Sequence, residues 1–533
     1  MTAIRHVFAA AVGLSLAMTL GGPAALAQKP GGILKMYFFD SPASMSIHEE
    51  STLAAQGPMM GVFNNLVMYK QDVALASLDT IVPDLASEWA WDEEKTALNF
   101  KLRRGVKWHD GKPFTAKDVK CTWDLLQGKT AEKLRLNPRK AWYRNLDEVV
   151  VNGDYEVAFK LKRPQPAFLA LLASGFSPVY PCHVSARDMR QKPIGTGPFK
   201  FVEFKPNEYI KVARNPDYWK KDRPYLDGIE YQIIKNVATG ALTFVSGKVD
   251  MTSWYFLQVP MLNDVNQQMG KELCHLAPTN VLRAVMINRE AAPFGEPEVR
   301  RAIALTLDRQ AFIETLTQGK GSLGGALLAP PEGVWGMPPE LIRSLPGYGP
   351  DVAANRAEAR KSMEKMGYGP NNRLRTKVTT RNIPPYRDPA IILIDHLKEI
   401  YIDGELELLD TTLWYPRITK KDFTVALNLV TNAVDDPDQT LYEYYACNAE
   451  SNYDGYCSPE FDKMIDRQSA EFDQKKRKQL VWEIEKKLAE DVARPMLYHS
   501  RSGTCWRPYV KGYTMMMNGI YNGQRMEDVW LDK

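Results

Sequence analysis

The residue types that most often carry catalysis or bind metals are present in this sequence, but their spacing matches no common catalytic motif. The seven histidines are scattered, and no two have the helical spacing of a paired metal site. The motifs G-x-S-x-G, H-E-x-x-H and Walker A are absent from the chain. We therefore predict no catalytic residue, no bound metal and no cofactor.

Two weaker patterns are interpreted as loops. Residues 319–324 spell G-x-G-x-x-G, but this run follows a predicted helix, whereas a dinucleotide-binding turn follows a strand. Asp435, Asp436 and Asp438 lack the glycine and the final glutamate of a calcium-binding loop. The acidic cluster is therefore predicted to lie in a surface loop or in a cleft.

Disulfide bonds are expected among the six cysteines, because the export signal predicted for residues 1–27 directs the chain to an oxidising compartment. Cys447 and Cys457 flank a short polar loop, and we predict a disulfide bond between them. Cys121 lies in a helix-like run and is compatible with a buried thiol. The pairing of Cys121, Cys182, Cys274 and Cys505 stays open at this level.

Residues 1–27 are predicted to be a secretory signal peptide. A basic start at Arg5 precedes an uncharged apolar run, and Ala25 and Ala27 provide the small residues of a cleavage site. No cysteine lies near the cleavage point, so a lipid anchor is not expected. The mature chain, 28–533, is predicted to be soluble in a bacterial periplasm.

The composition is that of a soluble globular protein of several domains. The 533 residues predict two to four domains at about 100–200 residues each. Lys and Arg total 68 and Asp and Glu total 64, so the net charge of +4 gives no electrostatic case for binding nucleic acid. Hydrophobic residues at 44% and charged residues at 25% exclude a disordered chain and a multi-span membrane protein.

Periodicity predicts a mixed α/β chain. Leu98, Phe100 and Leu102 alternate with polar residues, as do the apolar residues of 155–161, which indicates half-buried strands. Thr115 is predicted to cap a helix. Apolar spacing predicts one helix over 299–318 and another around 480–488, with the basic run 475–478 as a solvated face. Strands predominate before about 297 and helices after it, which indicates two lobes.

Several segments, in chain order, resemble the family 5 extracellular solute-binding proteins, the peptide, nickel and opine receptors of ABC importers. They are LASEW at 85–89, LNFKLRRGVKWHDGKPFTAKDV at 98–119, GTGPF at 195–199, NPDYW at 215–219, VRRAI at 299–303 with Asp308-Arg309, 435–439 and 452–462. The resemblance covers essentially the whole mature chain.

This resemblance implies a two-lobed α/β periplasmic-binding-protein fold with an extra inserted domain, mixed sheets flanked by helices, and a ligand cleft between the lobes. Domain I is expected at 28–70, 190–285 and 503–533, domain II at 71–189, and domain III at 286–502. The lobes are expected to close over a ligand, and the closed form, a monomer, to dock on an inner-membrane permease. His109 lies within a family segment that is expected to set the fold.

The resemblance also points to the cleft residues, and one expected anchor is missing. In the peptide receptors of this family, an Asp three residues before the acidic residue of an acidic-Pro pair holds the peptide ammonium. Here the pair is Asp436-Pro437, and Ala433 occupies the anchor position. Asp435 or Asp436 is the possible substitute.

Arg381 lies where the dipeptide receptors carry an arginine for the peptide carboxylate, and a planar guanidinium suits that role. The alternative is a surface arginine at the end of a strand. The further cleft candidates are Tyr37, Tyr386, Trp414, Asn428, Asn432 and Trp506, whose rings could stack on a solute and whose amides could bond to it.

The predicted function is capture of a peptide or peptide-like solute for import, without a reaction. Because Ala433 replaces the expected anchor, a sugar, an opine or a metal chelate stays open as the ligand. An exported hydrolase or a periplasmic chaperone is a further alternative.

Overall fold

The computed structural model describes residues 28–533, and the predicted signal peptide, 1–27, lies outside the described residues. The strands are β1 Ile33–Phe38, β2 Val67–Tyr69, β3 Ile81–Pro83, β4 Ala86–Trp91, β5 Ala97–Leu102, β6 Leu146–Val151, β7 Glu156–Leu161, β8 Phe199–Lys205, β9 Tyr209–Arg214, β10 Gly228–Ile233, β11 Cys274–Ile287, β12 Leu374–Arg381, β13 Ile402–Leu409, β14 Val425–Thr431, β15 Met496–Cys505, β16 Val510–Lys511 and β17 Trp530–Leu531.

The helices are α1 Leu53–Met60, α2 Ala116–Leu126, α3 Phe168–Ala173, α4 Ala186–Gln191, α5 Val237–Val245, α6 Val259–Met269, α7 Pro297–Thr306, α8 Arg309–Thr317, α9 Pro339–Ile342, α10 Val352–Lys365, α11 Pro384–Lys398, α12 Thr411–Ile418, α13 Pro437–Tyr444, α14 Pro459–Ser469 and α15 Gln474–Glu490, with short 3₁₀ helices at Leu78–Thr80 and Lys140–Tyr143. Within 28–533, no helix is both long and apolar enough to cross a bilayer.

Three larger sheets form the framework. The first has the order β1-β10-β9-β8, the second β4-β5-β7-β6 and the third β13-β12-β14-β11-β15. Strand β1 pairs in parallel with β10, and β12 pairs in parallel with both β13 and β14, while the second sheet is antiparallel. Two-stranded sheets β2-β3 and β16-β17 complete the set. The predicted α/β architecture with mixed sheets is confirmed.

The sheets belong to two lobes with different hydrophobic cores. The core of the first lobe joins the first and second sheets to the C-terminal segment, and includes Phe38, Phe159 and Leu531. The second lobe is built on the five-stranded sheet, whose main core includes Ile303 and Leu393. Each lobe therefore buries its own apolar residues, as a separately packed unit must.

Strands β11 and β15 run from one lobe to the other. Cys274, at the start of β11, pairs with Cys505, at the end of β15, and both belong to the first core, whereas Val285 belongs to the second. The register between the two strands shifts after Pro278, where Asn280 has a φ of 53°. The predicted domain boundaries after 285 and 502 fall inside these strands, so they divide two continuous elements.

The strand predictions and the predicted start of the helix at Thr115 agree with the structure. In β5, Leu98, Phe100 and Leu102 are buried and the residues between them are exposed. Helix α2 begins directly after Thr115, whose backbone N–H donates to the Asp118 carboxylate at 2.9 Å. Local periodicity and capping chemistry are sufficient for these elements because both act within a few residues.

The single helix predicted over 299–318 is wrong, because the structure has two helices there. Leu307 adopts an extended backbone with ψ of 111°, which ends α7. The Asp308 side chain then accepts a hydrogen bond from the Ala311 amide at 3.0 Å and caps α8. Aspartate favours such capping positions because its carboxylate satisfies amides that a helix start leaves free. Residues 319–324 follow α8, and no helix begins directly after them, in agreement with the loop interpretation.

The basic run 475–478 lies inside α15, and it is not uniformly a solvated face. Lys475 and Lys476 are exposed, but Arg477 is buried and contacts Asp436 and Asp438. The periodicity of the run could not reveal this, because the acidic partners are some forty residues away along the chain.

Candidate functional site

A cavity lies where the two lobes meet. It contains about 840 Å³ of space not filled by protein atoms, part of it open to solvent. The first lobe contributes Phe39, Ser51, Thr52, Leu53, Tyr255, Phe256, Ile520 and Tyr521, and the second contributes Arg381, Pro385, Tyr386, Tyr415, Asn428, Leu429, Thr431, Glu443, Tyr444, Ser451 and Tyr453. The crossing strands add Thr279, Val281, Arg283, Ser500 and Ser502. A concave site at a domain junction is where small solutes usually bind.

Alternate residues of the crossing strands form part of the cavity wall. Val281 and Arg283 on β11 share a sheet face, as do Ser500 and Ser502 on β15, because successive side chains of a strand point to opposite faces. The crossing strands therefore supply an arginine and small hydroxyl-bearing side chains to the same cavity.

Arg283 is a buried cation without a partner. Its exposed fraction is 4%, and its Nε and Nη1 atoms have no hydrogen-bond partner among residues 28–533. The contact that supports the guanidinium is the ring of Tyr498, whose centroid lies 5.4 Å away. Buried charges are normally paired with an opposite charge. Arg283 has no such partner among the described residues, so it can still bind an anion.

Glu443, on α13, is the one carboxylate among the described residues that line the cavity. Its Oε2 accepts hydrogen bonds from Trp142 Nε1 at 2.6 Å and from Gln439 Nε2 at 2.7 Å. Burial raises the pKa of Glu443, and the Arg139 guanidinium offsets part of that effect. Trp142 belongs to the segment predicted as domain II, so this carboxylate is positioned by both lobes.

Arg381 lies at the cavity, at the end of β12, but its charge is already neutralised. Its Nη2 bonds to the Asp40 carboxylate at 2.8 Å and to Thr411 Oγ1 at 2.7 Å, and its Nη1 bonds to the Tyr386 hydroxyl at 2.7 Å. Thr411 also donates to Asp40 at 2.6 Å. Both Arg381 and Asp40 are 2% exposed, so this ion pair connects the lobes without solvent.

Aromatic rings and unpaired polar atoms complete the lining. Phe39 and Phe256 stack with centroids 4.0 Å apart. The Oγ1 of Thr52, the Oγ of Ser500 and the Oδ1 of Asn428 are buried and have no protein partner among the described residues. Such atoms are costly unless something bonds to them, so they are candidate contacts for a polar solute.

The predicted acidic substitutes for the amine anchor do not line this cavity. Asp436 forms two hydrogen bonds with Arg477, at 2.9 and 2.7 Å, and caps α13 through the Asp438 amide. Asp435 accepts from the Val334 amide at 3.1 Å, and desolvation raises its pKa to about 7 although the residue is only half-buried by surface area. Asp436 therefore serves contacts within the second lobe, and Asp435 bonds to the backbone there.

Four other predicted ligand residues are packing or structural residues in this structure. Trp414 is fully buried in a small core with Met286 and Ile418. Asn432 donates to the Asn280 side chain at 2.9 Å. Trp506 stacks on His275, with centroids 4.2 Å apart.

The fourth is Tyr37, which is fully buried in β1 with its hydroxyl unpaired. Burial raises the pKa of Tyr37, with a further contribution from Asp40. Of the nine predicted ligand residues, the structure thus brings Arg381, Tyr386 and Asn428 together at the cavity.

The structure contains the predicted Cys447–Cys457 disulfide and two further ones, Cys121–Cys182 and Cys274–Cys505. The interpretation of Cys121 as a free buried thiol is wrong, because Cys182 lies within bonding reach of α2. No group of three or more potential metal ligands occurs among the residues that the structure describes.

A second, wider space adjoins the inner cavity. It shares the lining residues Ser51, Tyr415, Ser451 and Tyr453 with that cavity and contains about 2020 Å³ of unfilled space, solvent included. The disulfide-closed loop 447–457 forms one of its walls. The shared residues therefore form the boundary between the inner cavity and this wider space, its mouth.

Sequence reasoning missed Arg283 and Glu443, the two charged residues that line the cavity and form no ion pair within the described residues. A signal for Arg283 was present, because it is the one charged residue in the apolar run VLRAVMI at 281–287. Glu443 gave no comparable signal, because its partner Trp142 is 301 positions away in the chain.

The fold and the cavity between the lobes define a two-lobed solute-binding protein. Residues 80–452 match the family of bacterial extracellular solute-binding proteins, family 5 Middle. This chain belongs to that family, so the predicted resemblance and fold class are confirmed.

Relatives and solved structures agree with this membership. The oligopeptide-binding protein AppA of Bacillus subtilis is 26% identical over 462 residues, covering 82% of this chain and 81% of that protein. The di/tripeptide-binding protein 1 of Pseudomonas aeruginosa is 26% identical over 480 residues, covering 84% and 85%. The Helicobacter pylori periplasmic binding protein DppA in complex with the peptide STSA is similar in structure, with a TM-score of 0.82, 22% identity, and coverage of 95% and 99%.

Proposed function

We propose that this chain is the periplasmic binding component of an ABC importer, and that it captures a short peptide or peptide-like solute. The observation that carries the proposal is the inner cavity, which both lobes line and which offers aromatic rings, hydroxyls and charges of both signs. The proposal includes no chemical step. The solute binds, the lobes close, and the closed form docks on a membrane permease.

The names of the relatives support a peptide-like solute. Two of them are an oligopeptide-binding and a di/tripeptide-binding protein, and one similar structure holds a four-residue peptide. The periplasmic location is supported by the predicted export signal and by three disulfides, which persist in oxidising compartments.

Contacts between the segments of different lobes support closure as the working step. Besides the Arg381–Asp40 pair, Gln165 Nε2 donates to the Asp438 carboxylate at 2.8 Å and Arg163 pairs with Asp466 at 2.9 Å. These contacts are available only when the lobes are together. A solute that bridges the cavity would favour the closed state by adding contacts to both sides.

The test is native mass spectrometry of the mature chain purified from the periplasm, before and after denaturation. We expect a released mass in the range of short peptides or of a peptide-like solute. If the chain arrives empty, a peptide panel at 100 times the dissociation constant should add about 2.7 kcal/mol to the free energy of unfolding. Chemically converted products in place of an intact solute would contradict a binding-only role.

A non-peptide mass would keep the receptor role and change the solute class. One similar structure, the binding protein AgaA with agropinic acid, shows this fold with such a ligand, at a TM-score of 0.80, 22% identity, and coverage of 94% and 99%.

A further inference from the structure

We propose that the solute is a zwitterion whose amine cation binds Glu443 and whose carboxylate binds Arg283. This inference rests on the proposed function, because it assigns the charges of the solute that the cavity holds. Under this proposal, Arg381 does not bind the carboxylate of the solute, and neither Asp435 nor Asp436 binds its amine.

The carboxylate assignment follows from the state of Arg283. The residue is more than nine-tenths buried and lines the cavity, and two of its guanidinium nitrogens have no acceptor among residues 28–533. A guanidinium can donate two parallel hydrogen bonds to one carboxylate. Arg283, which has unused donors, can form this pair with the carboxylate of a solute. Ser500, with an unpaired buried hydroxyl on the adjacent strand, can add a third polar contact.

The amine assignment follows from the position of Glu443. Its carboxylate accepts hydrogen bonds from the neutral groups of Trp142 and Gln439, both at Oε2, and Tyr444 also contributes a hydrogen bond. No lysine or arginine forms an ion pair with it within that part of the chain, because Arg139, the nearby cation, donates instead to the carbonyl groups of Ile47 and Glu50. An ammonium group in the cavity would be the direct cationic partner that Glu443 lacks.

The other charged candidates are already paired. Arg381 is neutralised by Asp40, and Asp436 by Arg477. Asp435 bonds to a backbone amide and does not line the cavity. The cavity therefore offers one cation and one anion that form no ion pair with another described residue. A solute with a single charge would leave the other one buried and unpaired, which a zwitterion avoids.

The experiment uses the mature chain, 28–533, freed of bound solute by unfolding with its disulfides intact and refolding. The probes are three equimolar mixtures of all dipeptides of the twenty natural amino acids: one with free ends, one N-acetylated and one C-terminally amidated. Binding is measured by titration and followed through the rise in unfolding temperature. Because each mixture contains the same set of side chains, a preference for particular side chains affects all three mixtures equally. The mixtures then differ only in whether the amine and the carboxylate are free.

We expect the free-ended mixture to bind the wild-type chain on the order of 100-fold more tightly than either blocked mixture, because each blocked end leaves a buried charge unpaired. Glu443→Gln should bind the free and acetylated mixtures equally and still reject the amidated one. Arg283→Gln should bind the free and amidated mixtures equally and still reject the acetylated one. A merely structural role for either residue would weaken all three mixtures alike.

Glu405→Gln and Arg375→Gln are the matched controls, since both residues are exposed and line neither the inner cavity nor its mouth. They should keep the wild-type order of the three mixtures. If either cavity variant also keeps that order, the charge assignment is overturned while solute capture stands.

If the free-ended mixture does not bind, the mass of the solute released from the periplasmic protein decides. A solute without both an amine and a carboxylate overturns the assignment and leaves solute capture in place. A larger zwitterion supports it when the same two variants lose that solute. The absence of both a released mass and any binding contradicts the proposed function itself.

Discussion

Two arginines meet the same cavity in opposite electrostatic situations. Arg381 contacts Asp40, Thr411 and Tyr386, so every part of its guanidinium has a partner. Arg283 is equally buried, but the ring of Tyr498 is its neighbour and no carboxylate pairs with it among the described residues. Arg381 thus forms an ion pair that connects the lobes, whereas Arg283 can still pair with the anion of a solute.

The presence or absence of an ion-pair partner distinguishes a structural arginine from a binding arginine more reliably than alignment with the family's sequence positions does. A buried ion pair is costly to break, because removing one partner strands the other charge away from water. An unpaired buried charge is already stranded, and a ligand that pairs it removes that cost. The same contrast distinguishes Asp436, which Arg477 neutralises, from Glu443.

The largest effect is expected from breaking the pair between the lobes. Asp40→Asn removes the carboxylate and leaves Arg381 buried without an anion. We expect the free energy of unfolding to fall by about 3–5 kcal/mol, the usual cost of stranding one member of a buried pair. Chemical denaturation of the solute-free mature chain measures this loss.

The control for this variant is Lys235→Gln. Lys235 also reaches the other lobe, where it pairs with Asp410 at 2.8 Å, but both side chains are over 40% exposed. An exposed pair contributes about 0–1 kcal/mol, so this variant should unfold nearly as the wild type does. Equal losses in Asp40→Asn and Lys235→Gln would contradict the role assigned to the buried pair.

A smaller loss is expected when Arg381 keeps its anion and loses one hydrogen bond. Tyr386→Phe removes the hydroxyl that accepts from Arg381 Nη1 at 2.7 Å. A hydrogen bond to a charged group contributes about 1.5–3 kcal/mol, and the remaining bonds to Asp40 and Thr411 favour the lower end. Tyr401→Phe is the comparison, because its hydroxyl bonds to the exposed Glu364. A loss no larger in Tyr386→Phe than in this control would show that the arginine does not need the hydroxyl.

Arg283 should respond with the opposite sign. Arg283→Met replaces an unpaired buried guanidinium with an apolar side chain of similar length. We expect the solute-free protein to gain about 1–3 kcal/mol in unfolding free energy, the cost of leaving buried polar groups unsatisfied. Arg381→Met should instead lose stability, because it strands Asp40. Urea titrations of the two variants measure the signs, and a loss of similar size in both would remove the distinction between the arginines.

The fold could be predicted further than the site. The alternation in β5 and the cap of α2 depend on residues a few positions apart, so periodicity finds them. The split between α7 and α8 was missed, because the apolar spacing continues across the capping residue Asp308. Here the hydrogen bond from the Ala311 amide to Asp308 starts a new helix, although the apolar spacing alone predicts one continuous helix.

The cavity contacts depend on partners that no local pattern connects. Arg381 does line the cavity, but its anion, Asp40, is 341 positions away in the chain, so the ion pair between them could not be anticipated. The acidic cluster looked available because its cation, Arg477, lies in a run of lysines that resembles a solvated face. Charge pairing across the lobes is a property of the folded chain, and sequence spacing alone does not contain it.

The smallest expected effect is a change of affinity with pH that sharpens the contrast between Glu443 and the neutralised Asp436. Burial raises the pKa of Glu443, and Arg139, Gln439, Trp142 and Tyr444 offset part of the rise. A carboxylate binds an ammonium only when ionised. Affinity for free-ended dipeptides should therefore be full between the pKa of Glu443 and that of the dipeptide amine, about 8, and should weaken as the pH falls through the pKa of Glu443, by up to about tenfold per pH unit.

Because that pKa is raised, the weakening should begin at a higher pH than an exposed glutamate would give. Titrations at several pH values measure it, with Glu443→Gln as the control. Gln cannot ionise, so the variant should bind weakly and with little change over the same range. An equally steep pH dependence in the variant would assign the titration to another group, and Glu443 would then be a structural residue like Asp436.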